Sequence, residues 1–252
     1  MYSVGNLTDN SNLKMIAEMG CVKVYEHQSD LSINPALAEQ MYFAQKMNVK
    51  KRQALIELNG ESFIIQSGAM QWMIGDIKSG TGIKGVGDFL GKMISSKVTK
   101  ESTVKPEYTG KGLIMLEPTY KHILLVEVGD WGAIVLEDGL FLACDSNIKM
   151  KVTMRKTLSS AALGNEGLFN LALEGKGIAI LESPVPKEEL IEFTLNNDEL
   201  KIDGNMAIAW SKSLEFTVGR STRSLLGSAM NGEGLVNIYR GTGKVLMAPT
   251  IK

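Results

Sequence analysis

Hydrophobic and polar residues alternate along most of this chain, with the two-residue period of a β-strand that buries one face. The clearest stretch is residues 148–154, IKMKVTM, which puts four apolar side chains on one face and two lysines and a threonine on the other. Further short apolar runs lie at residues 140–144, 168–173, 178–181, 190–195, 206–210, 214–218, 235–239 and 245–247. Turn-forming Gly, Asn and Asp separate these runs at intervals of about 8–12 residues, which is typical of a sandwich or barrel. The pattern therefore predicts an all-β fold.

Two short segments follow a helical period instead. Asn34 precedes Pro35, and an N-cap residue followed by proline at the first helical position predicts a short helix over residues 35–40. Residues 86–95 carry four apolar side chains at helical spacing between glycines, which predicts a second one. We expect one or two short helices beside the strands.

A Gly-x-Gly pair followed by an apolar strand occurs three times, in copies 65 and 66 residues apart. The pairs are Gly110 with Gly112, Gly175 with Gly177, and Gly241 with Gly243. A glutamate stands nine, nine and eight residues upstream, at Glu101, Glu166 and Glu233, and glycine follows it in the last two copies, at Gly167 and Gly234. Glycine lets the backbone turn sharply or bulge before a strand. The coincident anchors predict a tandem triplication.

The three copies divide the chain into units over residues 50–118, 119–183 and 184–250, with residues 1–49 packing on the first unit as an N-terminal extension. Each unit is expected to contain a hairpin upstream of its glycines, over residues 56–73, 135–154 and 193–210, with Leu58, Leu136 and Leu195 as equivalent positions. A glycine-rich insertion over residues 79–96 lengthens the first unit. Three copies of one β unit can share a core that a single copy could not bury.

An ordered set of motifs resembles one known family. The motifs are GVGDFLGKM at 85–93, KES at 100–102, TGKG at 109–112, GLFLAC at 139–144, GEGL at 232–235 and GTG at 241–243. The family is the bacterial and mitochondrial one named for altered inheritance of mitochondria, a domain of unknown function, and the likeness covers roughly residues 50–250. The resemblance implies units like the tryptophan RNA-binding attenuation protein, a short double-stranded β-helix or β-sandwich. It also implies three such units per chain and three chains in a ring.

Charge and composition exclude several classes of protein. The 252 residues contain 27 Lys and Arg against 28 Asp and Glu, a net charge of −1, which argues against a partner such as duplex nucleic acid. Two cysteines cannot form a disulfide framework and favour a reducing compartment. No signal peptide opens the chain, and no apolar run approaches the roughly 20 residues that a membrane helix needs. We expect a cytoplasmic protein without a membrane span.

Motifs for catalysis or cofactor binding are weak. Residues 80–85 match G-x-G-x-x-G, but no alternating β/α pattern surrounds them, so we interpret them as part of the insertion. The two histidines, His27 and His122, and the two cysteines, Cys21 and Cys144, stand far apart in the sequence without metal-ligand spacing. We therefore predict no cofactor and no metal.

Two groups of charged residues remain as candidates. Glu101, Glu166 and Glu233 either converge as acid–base carboxylates or, as we favour, anchor one turn in each unit. Lys149, Lys151 and Arg155 form a basic patch that could attract a polyanion. The leading hypothesis is a non-enzymatic, homo-oligomeric scaffold or interaction module, with a trimer favoured by the resemblance. The alternative is a small-ligand or single-stranded RNA binder that uses clefts between units. An enzyme remains possible only if the glutamates share a cleft with a histidine.

Overall fold

The computed structural model describes residues 2–80, 105–154, 169–220 and 235–250. Within them lie fifteen strands and one α-helix. The strands are β1 Leu13–Met19, β2 Val22–His27, β3 Arg52–Ile65, β4 Met70–Gly80, β5 Glu107–Leu116, β6 His122–Glu127, β7 Ala133–Leu136, β8 Phe141–Asp145, β9 Lys149–Met154, β10 Phe169–Glu174, β11 Ile178–Ser183, β12 Ile191–Asp203, β13 Ala207–Ser211, β14 Glu215–Arg220 and β15 Leu235–Met247. The helix, α1, is Ala38–Lys46. The all-β prediction is confirmed.

The strands form two curled antiparallel sheets, each around its own core. In the first sheet the order is β1-β2-β3-β8-β11-β6, with β5 paired to β3 and β4 paired to β5. In the second the order is β12-β15-β13-β7-β10-β9, with β14 paired to β15. The first sheet buries Phe63 and Ile114 inside its curl, and the second buries Trp210 and Tyr239. A third apolar cluster lies between the sheets, with Cys144 contributed by the first and Leu136 by the second.

The predicted hairpins are wrong. Strands β3 and β4 are consecutive in the chain, yet β5 lies between them and pairs with both. In the same way β15 separates β12 from β13, and β7 and β8 belong to different sheets. Alternation of apolar residues shows that a strand buries one face, but it carries no information about which strand provides its hydrogen bonds.

Two of the three Gly-x-Gly pairs lie within strands and not just before a strand, as was predicted, and the third pair connects two strands. Gly110 and Gly112 lie within β5 with φ of 139° and 155°, and a Cβ at either position would collide with a carbonyl oxygen of β4. Gly241, with φ of 117°, lies in β15 opposite a bulge in β12, and Gly243 follows it in the same strand. Gly175 and Gly177 join β10 to β11 and carry the chain from one sheet to the other. Five of these six glycines, all except Gly243, have a positive φ that only glycine adopts readily.

Several local predictions have clear outcomes. Asn34 caps a short 3-10 turn, Pro35–Leu37, by accepting a 2.9 Å hydrogen bond from the Ala36 amide, and α1 follows directly. Val152 is 51% exposed, so the apolar face predicted for residues 148–154 is not fully covered. Other predicted features lie outside the described residues: Glu101, Arg155, Glu166, Gly167, Glu233, Gly234 and the helix at 86–95.

Candidate functional site

The predicted basic patch is partly neutralised by a carboxylate on the neighbouring strand. Lys149 of β9 lies opposite Glu174 of β10. The Lys151 ammonium is 2.7 Å from Glu174 Oε2, and Lys212 bonds the other oxygen of the same carboxylate. Hydrogen bonds from Lys151 and Lys212 lower the pKa of Glu174 to about 2. We call Glu174, Lys151 and Lys212 the Glu174 cluster. Its internal pairing argues against a polyanion site at Lys151.

The histidines and cysteines lie in different environments. His27 shares a 2.8 Å hydrogen bond with Gln53 and lines a cavity of about 350 Å³, whereas His122 lines another groove. Cys21 and Cys144 are free thiols, and burial raises the pKa of Cys144 to about 12. Within the described ranges, no group of three or more His, Cys, Asp or Glu side chains is placed to hold a metal ion.

A buried ionic cluster, absent from the sequence-based candidates, ties the N-terminal segment to β3. Arg52, 2% exposed, donates to Asn48 Oδ1 at 2.7 Å and to the Lys50 carbonyl at 3.1 Å. The Arg52 guanidinium lies 2.8 Å from Glu26 Oε2, and the Lys50 ammonium lies 2.9 Å from Glu26 Oε1. Burial acts to raise the pKa of Glu26, but Lys50 and Arg52 hold it below its ordinary value. We call Glu26, Asn48, Lys50 and Arg52 the Arg52 cluster.

A groove of about 700 Å³ runs beside this cluster along the whole of β6, and we call it the β6 groove. Residues 16–19 of β1 line the groove, and so do Pro186, Lys187, Glu188, Leu190 and Glu192. Arg52 and Glu26 reach its lining at the His122 end of β6. Burial, followed by the charge of Arg52, lowers the pKa of His122.

In the part of the chain that the structure describes, six strands pair along one side only, namely β1, β4 and β6 in the first sheet and β9, β12 and β14 in the second. Among them, β4 pairs only with β5 near Met73, and β12 pairs only with β15. Exposed strand edges are templates for pairing with another chain. The alternation of apolar residues had no means of revealing them, because an edge is a property of the assembled sheet.

No helix in the described part of the chain is long and apolar enough to cross a membrane.

Comparison with known proteins gives a consistent result. The chain is 29% identical over 202 residues to an uncharacterized protein of Streptococcus pyogenes serotype M6, covering 76% of this chain and 79% of that protein. The crystal structure of a Streptococcus pyogenes protein has a TM-score of 0.56 and 26% identity, over 80% of this chain and 88% of the other. Residues 45–250 match the model of the family described as Mitochondrial biogenesis AIM24. The resemblance first visible in the motifs is therefore confirmed, and the chain belongs to this family.

Proposed function

We propose that this protein is a non-enzymatic scaffold of three equivalent β units, which associates head to tail with further copies of itself. The observation that carries the proposal is a short antiparallel ladder, which we call the joint, between consecutive units. The joint occurs twice inside the chain, and at each end of the chain the corresponding strand segment has no further strand beside it in the described residues. The cytoplasmic location predicted from composition is kept in the proposal, and the two free cysteines are compatible with it.

Equivalent backbone hydrogen bonds support three units with the predicted boundaries. The Glu117 amide donates to the Ala69 carbonyl at 2.8 Å, and the Glu182 amide donates to Leu140 at 2.7 Å. The Ala248 amide donates to Met206 at 2.8 Å. In each unit this bond lies a few residues beyond the Gly-x-Gly pair and joins the same two elements. The pairings β3·β5, β6·β11 with β7·β10, and β12·β15 correspond in the same way.

Consecutive units are joined by the same short ladder. Phe63–Ile65 of β3 pairs with residues 143–145 of β8, and Ile134–Leu136 of β7 pairs with residues 209–211 of β13. Beside each ladder, the residue after the first strand bonds across the joint. The Gln66 amide donates to Leu142 at 2.8 Å, and the Glu137 amide donates to Ile208 at 2.9 Å.

The corresponding positions at the two ends of the chain are residues 200–202 of β12 and residues 72–74 of β4. Neither segment pairs with a further strand at this edge within the described ranges. Met73 is 41% exposed, whereas Cys144 and Trp210, which correspond to it in the internal joints, are 0% and 4% exposed. Exposed apolar surface at a strand edge favours pairing with another chain.

The register of the joint between copies follows from the internal joints. Ile202 of one copy lies opposite Trp72 of the next, Lys201 lies opposite Met73, and Leu200 lies opposite Ile74. The two edges differ from each other, so the contact is heterologous and produces a closed ring or an open filament. The family resemblance favours a ring of three chains.

Native mass spectrometry at micromolar concentration tests the proposal. The wild type is expected to be a closed oligomer, and a strictly monomeric wild type would overturn the proposal. Lys201→Pro removes an edge amide that is directed away from β15, and Met73→Asp places a charge in the joint, so each variant is expected to be monomeric. Lys201→Ala and Thr194→Pro, the latter at the other half of the β12 edge, are the controls and keep the oligomer.

A mixture of the two joint variants tests the head-to-tail arrangement separately. The Lys201→Pro chain retains the β4 edge and the Met73→Asp chain retains the β12 edge, so the equimolar mixture is expected to form a dimer and nothing larger. A two-fold symmetric interface, in which both copies use the same edge, would give no such complementation and would contradict the proposal.

A further inference from the structure

The outer edge of β6 is open, whereas the chain itself covers the corresponding edge of the first unit. There, β2 pairs with the start of β3, with Val22 opposite Ile56 and Val24 opposite Ala54. The Glu57 amide completes this contact by donating to the Cys21 carbonyl at 2.8 Å. In the three-unit alignment, β6 takes the place of this part of β3, and Glu127 takes the place of Glu57.

The backbone of β6 directs alternate amides into the groove. The Val128 amide donates to the Gly177 carbonyl at 3.0 Å, on the side where β11 lies. Successive N–H groups of a strand point to opposite sides. The amides of Ile123, Leu125 and Glu127 therefore point away from β11, and none of them has a hydrogen-bond acceptor in the part of the chain that the structure describes.

Both faces of β6 are apolar. Leu124 and Val126 pack in the cluster between the sheets, while Ile123 and Leu125 pack in the core of the first sheet. A strand added beside β6 would thus have apolar surface on either side, as β2 has beside β3. Many of the other side chains that line the β6 groove are charged.

The lining of the β6 groove is acidic among the residues that the structure describes. It includes six carboxylates against three Lys or Arg side chains. Glu26 and Glu192 are paired with Arg52 and Lys244, and Glu18 lies 3.9 Å from Lys23, so the acidic excess of the lining comes from Glu127, Asp130 and Glu188 against Lys187. Glu18 of β1 and Glu188 of the segment before β12 are exposed members of this set. An acidic lining repels nucleic acid and favours a partner that carries positive charge.

We infer that the β6 groove binds an extended segment of a partner protein, with alternating apolar and basic residues, which is added as a strand to the edge of β6. Main-chain hydrogen bonds to the outward amides hold such a segment, and the alternate side chains provide the selectivity. The exact register, with peptide residues opposite Val126, Leu124 and His122, rests on the three-unit proposal. The open edge and the charge of the groove do not.

Fluorescence anisotropy with the full chain and a labelled KVKVKVK peptide tests this inference. Saturable binding is expected at low salt. An EVEVEVE peptide is expected to bind at least about tenfold more weakly, because the lining repels it. A KVKVKVK peptide that is N-methylated at alternate residues has lost the hydrogen bonds of one edge, and no binding of it is expected.

A pair of matched variants locates the site. Glu18→Lys combined with Glu188→Lys reverses two charges of the lining and is expected to weaken KVKVKVK binding about tenfold. Asp9→Lys combined with Glu117→Lys makes the same change in net charge at exposed positions outside the lining and leaves binding unchanged. Equal loss in both double variants would show a nonspecific effect of net charge and would overturn the inference.

Amide hydrogen exchange measured by NMR gives a readout at single residues. Bound KVKVKVK is expected to slow exchange at Ile123, Leu125 and Glu127 and to leave the β4 edge unchanged. Protection confined to β4 or β12, or no saturable binding, would overturn the inference. The Lys201→Pro variant separates the two proposals, since it abolishes the oligomer but retains the peptide site.

Discussion

Two clusters in this protein each hold one carboxylate between two cations, yet their surroundings differ. In the Arg52 cluster, the side chains of Arg52 and Glu26 are 2% and 11% exposed. In the Glu174 cluster, Lys151 and Lys212 are 55% and 42% exposed. A buried charge that loses its partner keeps the whole cost of its desolvation, whereas an exposed charge regains water. Similar ion pairs are therefore expected to stabilise this fold very unequally.

The two clusters also join different parts of the chain. The Arg52 cluster connects β2, the segment after α1 and the start of β3. It thereby fastens the N-terminal extension to the sheet beside the β6 groove. The Glu174 cluster connects β9, β10 and the turn after β13, which the ladders of the second sheet already hold together. Loss of the first therefore has structural consequences that loss of the second lacks.

The largest effect is expected from Arg52→Ala. Removing the guanidinium leaves Glu26 buried with Lys50 as its remaining cationic partner, and the free energy of unfolding is expected to fall by about 3–5 kcal/mol. Equilibrium urea unfolding measures the change. Lys151→Ala in the Glu174 cluster is the matched control and should leave the midpoint almost unchanged; equal losses in the two variants would remove the distinction between the clusters.

A smaller effect is expected from Glu26→Gln. The amide retains the shape of the carboxylate, and Arg52 keeps its hydrogen bonds to Asn48 and to the Lys50 carbonyl. The free energy of unfolding is expected to fall by about 1–3 kcal/mol, the usual effect of weakening a buried charged hydrogen bond. Urea unfolding again provides the measurement, and a loss as large as that of Arg52→Ala would show that Glu26, rather than the guanidinium, organises the cluster.

Acid is expected to weaken both clusters. The pKa values of Glu26 and Glu174 are lowered in the fold, to about 2 for Glu174 from an ordinary value of 4.5. A carboxylate with a lowered pKa stabilises the fold above its ordinary pKa, and this stabilisation is lost as the pH falls through the folded value. Thermal unfolding followed from pH 5 to pH 2 should show Tm decreasing. The decrease should be shallower in Glu26→Gln, and a slope identical to that of the wild type would contradict the assignment.

The smallest effect is expected from Glu174→Gln at neutral pH. Water replaces the exposed ion pairs, so Tm is expected to stay within about 2 °C of the wild type at low salt. Differential scanning calorimetry at low and high salt would show the small difference vanish as salt screens the charges. A large shift that persists in high salt would show that this cluster, too, is structurally important.

The sequence by itself determined the features that depend on neighbouring residues. Alternation predicted the strands, because the period of a strand is local. The Gly-x-Gly pairs predicted an unusual backbone conformation, which Gly110, Gly112 and Gly241 adopt with positive φ, because steric limits on φ act within one residue. Asn34 before Pro35 predicted the start of a helical segment for the same reason.

Only the tertiary structure decided which strands pair. On the three-unit proposal, the counterpart of Leu58 is Val128 and not the predicted Leu136, because Val128 is bonded to Gly177 in the way that Leu58 lies opposite Gly112 and Leu195 lies opposite Gly243. Neighbouring strands share the same alternation, so the pattern could not distinguish the two positions.

The candidate site shows the same division. Glu26 and Arg52 are 26 residues apart in the sequence, and they come into contact only when β2 pairs with β3. The β6 groove and the open edges of β4 and β12 likewise exist only once the sheets have formed. Strand periodicity, glycine conformation and helix capping depend on residues that are neighbours in the covalent chain. Ion clusters, grooves and strand edges depend on contacts between distant segments, and these contacts form only when the whole chain packs into its tertiary structure.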